Sequence, residues 1–257
     1  MANISLKKNY IYSLSYQILN LITPLITAPY VARVLGADGV GIYSYTASIM
    51  MYFTMVGALG TMNYGTREIA RLRDDKSKMS NAFWGIVSIT CISSLICLAC
   101  WMVLIYESTT YKYYFWALTP LLFATMADIS WFYTGIEKVS YTVIRNTICK
   151  FIGIILLFVF VKQKEDLFLY MIMNSFIQLF GNLSMWTYLP KLIEGFKIHE
   201  LHLVHHLKET MSYFVITIAI SLYTVLDKVL IGFITNDNFQ NGYYEQATKI
   251  INIAKTV

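Results

Sequence analysis

Six charged side chains lie within long apolar stretches of the sequence or at their ends. A charge inside a lipid bilayer is costly, so a charged residue within a membrane span is a functional candidate by default. Basic side chains in such positions bind anions, and acidic side chains bind protons or cations or form structural ion pairs. The six residues are Arg33, Asp128, Asp227, Lys228, Lys249 and Lys255.

Two other groups of residues have the chemistry of metal ligands. Cys97 and Cys100 have redox or zinc spacing, but cysteines in an apolar helix usually act as small hydrophobic residues. The segment 197–209 has apolar residues at helical spacing, which predicts an amphipathic helix on the inner membrane surface. A metal site there is the weaker interpretation, because no His-Glu-x-x-His motif is present, and we predict no metal and no cofactor. The four histidines of this segment are His199, His202, His205 and His206.

The elements that hold the charged residues are apolar stretches of membrane-spanning length. A span needs about 20 mostly apolar residues, and it must be helical because lipid cannot satisfy backbone polar groups. Only 14% of the residues are charged, against about 25% in a soluble domain. We therefore predict an all-α polytopic membrane protein. The predicted spans are 10–31, 40–62, 82–105, 113–134, 144–162, 167–189 and 211–234, with an eighth beginning near 243.

Basic residues are distributed unequally between alternate loops. Thirteen lysines and arginines lie on the side of the amino terminus and four on the other side, so the positive-inside rule predicts a cytoplasmic amino terminus. The net charge of +5 is then a topology signal, and no basic soluble domain is present to bind nucleic acid. The loops are also too short for a catalytic domain, which disfavours a membrane enzyme of glycan assembly.

One inner loop, 63–81, alternates acidic and basic residues, which predicts a short solvated helix at the inner surface. One interpretation of this loop is a simple topology anchor. The other is an inner gate that forms and breaks ion pairs, with Arg67, Glu68 and Arg71 as its residues.

Two parts of the chain resemble each other across about 200 residues. Residues 33–36 and 41–43 read Arg-Val-Leu-Gly and Gly-Ile-Tyr, and residues 228–232 and 242–244 read Lys-Val-Leu-Ile-Gly and Gly-Tyr-Tyr. Six predicted spans separate the copies, so both cross the membrane in the same direction. This is a parallel repeat of the kind transporters use, with the site between the halves. We predict a first lobe at 1–190, an amphipathic linker at 191–210 and the start of a second lobe at 211–257.

Five short motifs occur in order along the chain: Asn9-Tyr-Ile-Tyr-Ser13, Ala28-Pro-Tyr-Val-Ala-Arg-Val-Leu-Gly36, Gly39-Val-Gly-Ile-Tyr43, Tyr64-Gly-Thr-Arg-Glu-Ile-Ala70 and Gly242-Tyr-Tyr-Glu-Gln-Ala-Thr-Lys-Ile250. With these motifs the sequence resembles bacterial polysaccharide repeat-unit flippases, of the multidrug/oligosaccharidyl-lipid/polysaccharide exporter superfamily. The resemblance implies two six-helix lobes in the bacterial inner membrane. These flippases move undecaprenyl-diphosphate-linked oligosaccharides from the inner to the outer leaflet for O-antigen or capsule assembly. Most of a second lobe is missing, so we expect the sequence to be truncated.

The resemblance also implies a wet, cationic cavity between lobes, because a sugar-diphosphate head is polar and anionic while its polyprenyl tail is apolar. The predicted cations of this cavity are Arg33, Lys228 and Lys249. Gln17 and Asn20 are predicted to line it, because they belong to a polar face of the first span. The implied partners are a lipid-linked oligosaccharide, membrane lipids and other membrane proteins of polysaccharide assembly.

Other interpretations stay open at this point. Arg33 is also placed to snorkel to the outer interface. Asp128 and Asp227 are predicted as sites for a coupling ion or as structural charges. The whole chain has two alternatives: an inactive truncated remnant of a flippase, or a drug or cation antiporter of the same superfamily. An antiporter would need a carboxylate pair deep in the first lobe, where the sequence has only Asp128.

Overall fold

The computed structural model describes residues 6–195 and 201–256. Within these ranges the chain forms α-helices and short 3₁₀ turns and contains no β-strand, so the predicted all-α polytopic class is confirmed. The helices are α1 (Leu6–Ala58), α2 (Thr61–Leu72), α3 (Lys76–Glu107), α4 (Lys112–Leu118), α5 (Pro120–Met126), α6 (Ser130–Gly135), α7 (Val139–Phe160), α8 (Leu167–Ser184), α9 (Leu203–Thr224), α10 (Leu226–Thr235) and α11 (Asn238–Thr256).

Helix α1 contains two predicted spans and no loop between them. Its 53 residues would measure about 80 Å if straight, far more than the bilayer's hydrocarbon core of about 30 Å. The helix is broken at Gly36, which has φ 69° and ψ 175°, a conformation that glycine adopts without steric cost. The predicted spans 10–31 and 40–62 are therefore not joined by a loop: a single glycine, Gly36, separates the two halves of α1. The helical backbone continues through Pro24 and Pro29.

Five helical segments are long and apolar enough to cross a membrane, and a bent pair brings the number to six. The bent pair is α9 and α10, which meet at 50°, so the predicted span 211–234 is broken at Val225. The predicted span 113–134 is divided into α4, α5 and α6. One of these breaks follows from Pro120, the first residue of α5, because proline lacks the N–H that would continue the preceding helix. The side chain of Thr119 at this break accepts a hydrogen bond of 3.2 Å from Trp101 Nε1.

The buried apolar residues form two clusters, one near each end of the bundle. We call the end of the bundle near Gly36 the Gly36 end, and the opposite end, with the loop between α2 and α3, the basic end. At the Gly36 end, the fully buried Trp101 stacks edge-on against Phe53 and Phe115, with centroids 5.0 Å apart in both pairs. At the basic end the cluster is mostly aromatic, around the fully buried Phe83 and Phe132.

The two Gly-x-Tyr motifs of the sequence meet at the Gly36 end. A Cβ atom on Gly41 would overlap the backbone carbonyl of Asn238, and a Cβ on Gly242 would overlap that of Ala37. Asn238 precedes Gly242 by four residues and Ala37 precedes Gly41 by four, so the contact is reciprocal, as at a two-fold axis. We call this contact between the two glycine motifs the glycine seam. The division of the chain into lobes at 190 and 211 stays a prediction.

Residues 203–209 are the first turns of α9, which continues into the bent pair. They therefore do not form a separate surface helix, in contrast to the sequence-based expectation for 197–209. His199 and the rest of 196–200 lie outside the described residues, and the side chain of Lys255 does too. His206 is buried against α2 and α3.

Candidate functional site

A buried carboxylate in α11 joins three helices. One carboxylate oxygen of Glu245 lies 2.7 Å from Lys228 Nζ of α10 and accepts a hydrogen bond of 3.1 Å from Ser44 Oγ of α1. The other oxygen lies 3.3 Å from Lys249 Nζ, one turn along α11. The Glu245 side chain is only 11% exposed and that of Lys228 19%. We call these four residues the Glu245 cluster; with two ammonium groups and one carboxylate, it holds one uncompensated positive charge.

Sequence reasoning singled out Lys228 and Lys249 but missed Glu245 and Ser44. Glu245 precedes Lys249 by four residues, the spacing at which a glutamate and a lysine pair on a helix, and this signal could have found it. Ser44 has no such local signal, since its partner lies 201 residues away.

A cavity of about 590 Å³ lies between the first half of α1 and the later part of α11. Three of the predicted cavity residues, Gln17, Asn20 and Lys249, line it together. The rest of its wall is mostly apolar and includes Leu14 and Pro24. The polar face of the first span and the cluster lysine therefore border one space, which we call the α1–α11 cavity.

The other predicted residues lie elsewhere. Arg33 is exposed, three residues before Gly36, and does not line the α1–α11 cavity. Asp227 accepts a hydrogen bond of 2.6 Å from the Tyr244 hydroxyl and is not paired with its neighbour Lys228. These two side chains are therefore outside the Glu245 cluster.

Asp128 lies in the break between α5 and α6. Its carboxylate accepts a hydrogen bond of 2.9 Å from the backbone N–H of Ser130. It also borders a separate cavity of about 480 Å³, whose polar wall includes Thr54, Asn182 and Thr217. Asp128 thus stabilises the backbone at this break and lies apart from the lysines of the Glu245 cluster.

Among the described residues, the predicted gate residues of α2 do not form ion pairs with another helix, as a gate of ion pairs would require; only Arg67 reaches α9, through a hydrogen bond. The ion pair of 2.7 Å between Arg71 and Glu68 is internal to α2 and does not cross to another helix. The links across are hydrogen bonds: Arg67 Nη1 donates to the Tyr213 hydroxyl at 2.7 Å. The Tyr64 hydroxyl is 2.6 Å from His206 Nδ1, and both side chains are buried.

The basic end also has a well-defined helix cap. The carboxylate of Asp75 accepts a hydrogen bond of 3.1 Å from the backbone N–H of Lys78 and lies 3.1 Å from its ammonium group. These contacts, the backbone hydrogen bond first, lower the pKa of Asp75. The carboxylate therefore stays charged and keeps its cap below the pH at which an ordinary aspartate is protonated.

We expect Tyr64→Phe to lower the free energy of unfolding by about 1–3 kcal/mol, because it leaves the buried His206 ring nitrogen without its partner. Tyr213→Phe is the matched control: it removes an equivalent hydroxyl, but one that binds the exposed Arg67, so its loss is much smaller. Denaturant unfolding in detergent micelles measures both. Equal losses in the two variants would contradict the expectation.

Comparison with known proteins identifies the family of this chain. The family described as "Polysaccharide biosynthesis protein" matches residues 6–257. The chain belongs to this family.

Two curated relatives each match 90% of this chain. A protein named "Putative O-antigen transporter" from Escherichia coli K12 is 27% identical over 241 residues, which cover 90% of this chain and 57% of the relative. One of the same name from Shigella dysenteriae is 24% identical over 239 residues, covering 90% of this chain and 59% of the relative. No solved structure matches. The chain thus spans less than two thirds of these relatives, and their names describe transport, not catalysis.

The family result confirms the resemblance stated from the motifs. The family match and the apolar helices together show a multi-pass membrane protein of the polysaccharide biosynthesis family.

Proposed function

We propose that this chain acts in moving undecaprenyl-diphosphate-linked oligosaccharide repeat units from the inner to the outer leaflet of the bacterial inner membrane, with its amino terminus in the cytoplasm. The observation that carries the proposal is the position of Lys249, which borders the α1–α11 cavity and shares Glu245 with Lys228. The names of the O-antigen transporter relatives support the substrate class.

The α1–α11 cavity suits the two unlike parts of such a substrate. The diphosphate and sugars need a polar, cationic space, which Lys249, Gln17 and Asn20 provide. The polyprenyl tail needs lipid, and the exposed Ile18 and Leu25 on the same half of α1 offer it an apolar surface. The head is therefore placed to move beside α1 while the tail stays in the membrane.

The Glu245 cluster gives substrate binding a way to act on the helices. A diphosphate competes with Glu245 for the ammonium groups of Lys228 and Lys249, since both are anionic acceptors of charge-assisted hydrogen bonds. Once Glu245 loses these partners, α11 is held to α10 and to Ser44 of α1 less tightly. Binding of the head group thereby loosens the contact of α11 with α1 and α10, the kind of helix movement that an alternating-access cycle requires.

Lys249→Gln is expected to weaken binding of an undecaprenyl-diphosphate-linked oligosaccharide about tenfold or more, because it removes one charge-assisted hydrogen bond worth about 1.5–3 kcal/mol. The affinity is measured by titrating the labelled glycolipid into the full chain in phosphatidylcholine nanodiscs. Lys112→Gln is the matched control, since Lys112 is exposed at the start of α4.

Equal affinity in the parent chain and in Lys249→Gln would remove Lys249 from the proposed site. Absence of binding to the parent chain would overturn the proposed substrate for the chain as it stands.

A further inference from the structure

A second polar cavity lies between α1 and helices α7 and α8. Its volume is about 460 Å³. Thr23 and Thr27 of α1 border it, while Gln17 faces the α1–α11 cavity. At 100° per residue these threonines lie roughly a quarter turn from Gln17, so the two cavities occupy adjacent faces of one helix. We call this space the α7–α8 cavity.

Two cations of α7 border the α7–α8 cavity, Arg145 and Lys150. Both lie within α7, inside the predicted span 144–162, and α7 is long and apolar enough to cross a membrane. No aspartate or glutamate is among the residues that line the cavity in the described part of the chain. A cation in a membrane interior without a counter-ion is costly, so the pair indicates a ligand.

The contacts of the two cations leave capacity for an anion. Arg145 Nη1 donates to Asn182 Oδ1 at 2.8 Å, while its Nε is buried and has no hydrogen-bond partner among the described residues. Lys150 Nζ donates to Asn20 Oδ1 and lies 5.3 Å from the centre of the Tyr16 ring. Neither cation forms an ion pair with a described residue.

The remaining wall of the cavity is suited to hydroxyl groups. The side-chain amides of Asn146, Asn174 and Gln178 border it beside the threonine hydroxyls. An arginine fork binds phosphate with two parallel hydrogen bonds, and amides both donate to and accept from hydroxyls. The geometry points to a second binding site, one that takes a phosphate group carried on a hydroxyl-rich head.

The site also has a direct connection to the α1–α11 cavity. Asn20 borders the α1–α11 cavity and accepts the hydrogen bond of Lys150. A phosphate that binds Lys150 competes for this donor and frees the Asn20 carbonyl toward the neighbouring cavity. The inference does not depend on the proposed transport activity, because its two cations belong to α7 and not to the Glu245 cluster.

Cys149 allows a test without any transport assay, because its side chain lines the α7–α8 cavity. The full chain is placed in phosphatidylcholine nanodiscs with its other three cysteines, Cys91, Cys97 and Cys100, replaced by alanine. Cys149 then reacts with an anionic or a cationic methanethiosulfonate reagent of similar size. A cleft lined by one sign of charge concentrates the opposite ion about tenfold or more, so we expect the anionic reagent to react faster by that factor, relative to a free thiol.

Arg145→Gln and Lys150→Gln are each expected to reduce this preference several-fold. Lys138→Gln is the matched control, since Lys138 precedes α7, lies over the Tyr188 ring and does not line the cavity. Lack of preference in the parent protein would overturn the site, whether or not the variants fold.

Protection of Cys149 then identifies the source of the phosphate. Soluble inorganic diphosphate that slows the reaction indicates a head group that enters from water. Phosphatidylglycerol in the nanodiscs that slows it, without an effect of diphosphate, indicates a lipid head group. Absence of protection by either would overturn the assignment of a phosphate ligand.

Discussion

Glu245→Gln is expected to lower the free energy of unfolding by about 3–5 kcal/mol, the cost of removing one partner from a buried ion pair. The loss is this large because Glu245 is the acceptor for both Lys228 and Lys249. The amide leaves two ammonium groups next to each other in a space that is largely closed to solvent. Denaturant unfolding of the parent and the variant in detergent micelles measures the difference.

Two further variants show that the charge, and not the shape of the side chain, is responsible. Asp227→Asn is the matched control: Asp227 is exposed and has a single hydrogen bond from Tyr244, so its loss is much smaller. Lys228→Met combined with Glu245→Gln should recover part of the lost stability, because replacing a buried pair by neutral groups is often tolerated. A Glu245→Gln variant as stable as the parent would show that the cluster does not hold α10 and α11.

Gly41→Ala and Gly242→Ala are each expected to destabilise the chain by about 3 kcal/mol, at the upper end of the usual cost of overpacking. A methyl group at either position overlaps a backbone carbonyl of the facing helix. A side chain would rotate away from such an overlap, but a helix backbone cannot. The two helices must therefore separate, which opens the glycine seam and weakens the hydrogen bond between Ser44 and Glu245.

Gly153→Ala is the matched control for the glycine seam. Gly153 is also a helical glycine, and the nearest atom to its added Cβ is Ile177 Cδ1 at 3.7 Å, an ordinary contact. Spin labels on the exposed Met51 of α1 and Ile250 of α11 report the separation in each variant. An unchanged distance and unchanged stability in Gly41→Ala would contradict the close contact.

Sequence patterns predicted what depends on local composition. The apolar segments are long enough to identify helices without tertiary information, since lipid leaves the backbone no alternative. The motifs around Gly36, Gly41 and Gly242 were sufficient for the family. The polar face of α1 also came from periodicity, because Gln17 and Asn20 repeat at helical spacing.

The rest was not accessible to local reasoning, for identifiable physical reasons. Gly36 replaces a whole loop, and no composition rule distinguishes a one-residue break from a short turn. Arg145 and Lys150 lie near the beginning of an apolar run, where a charge at the interface and a charge facing a cavity have the same sequence pattern. The bond between Ser44 and Glu245 joins residues 201 apart, beyond any periodicity.

The one-residue break at Gly36 has a mechanical consequence. A long connection would absorb movement of the first half of α1 by changing its own shape, but a single glycine has only two backbone angles with which to do so. Asn20 borders the α1–α11 cavity and accepts a hydrogen bond from Lys150 of the α7–α8 cavity. A displacement of Asn20 therefore moves Gly41, which lies only five residues after Gly36. The residue that borders the α1–α11 cavity and the glycine seam are in this way joined through one pivot.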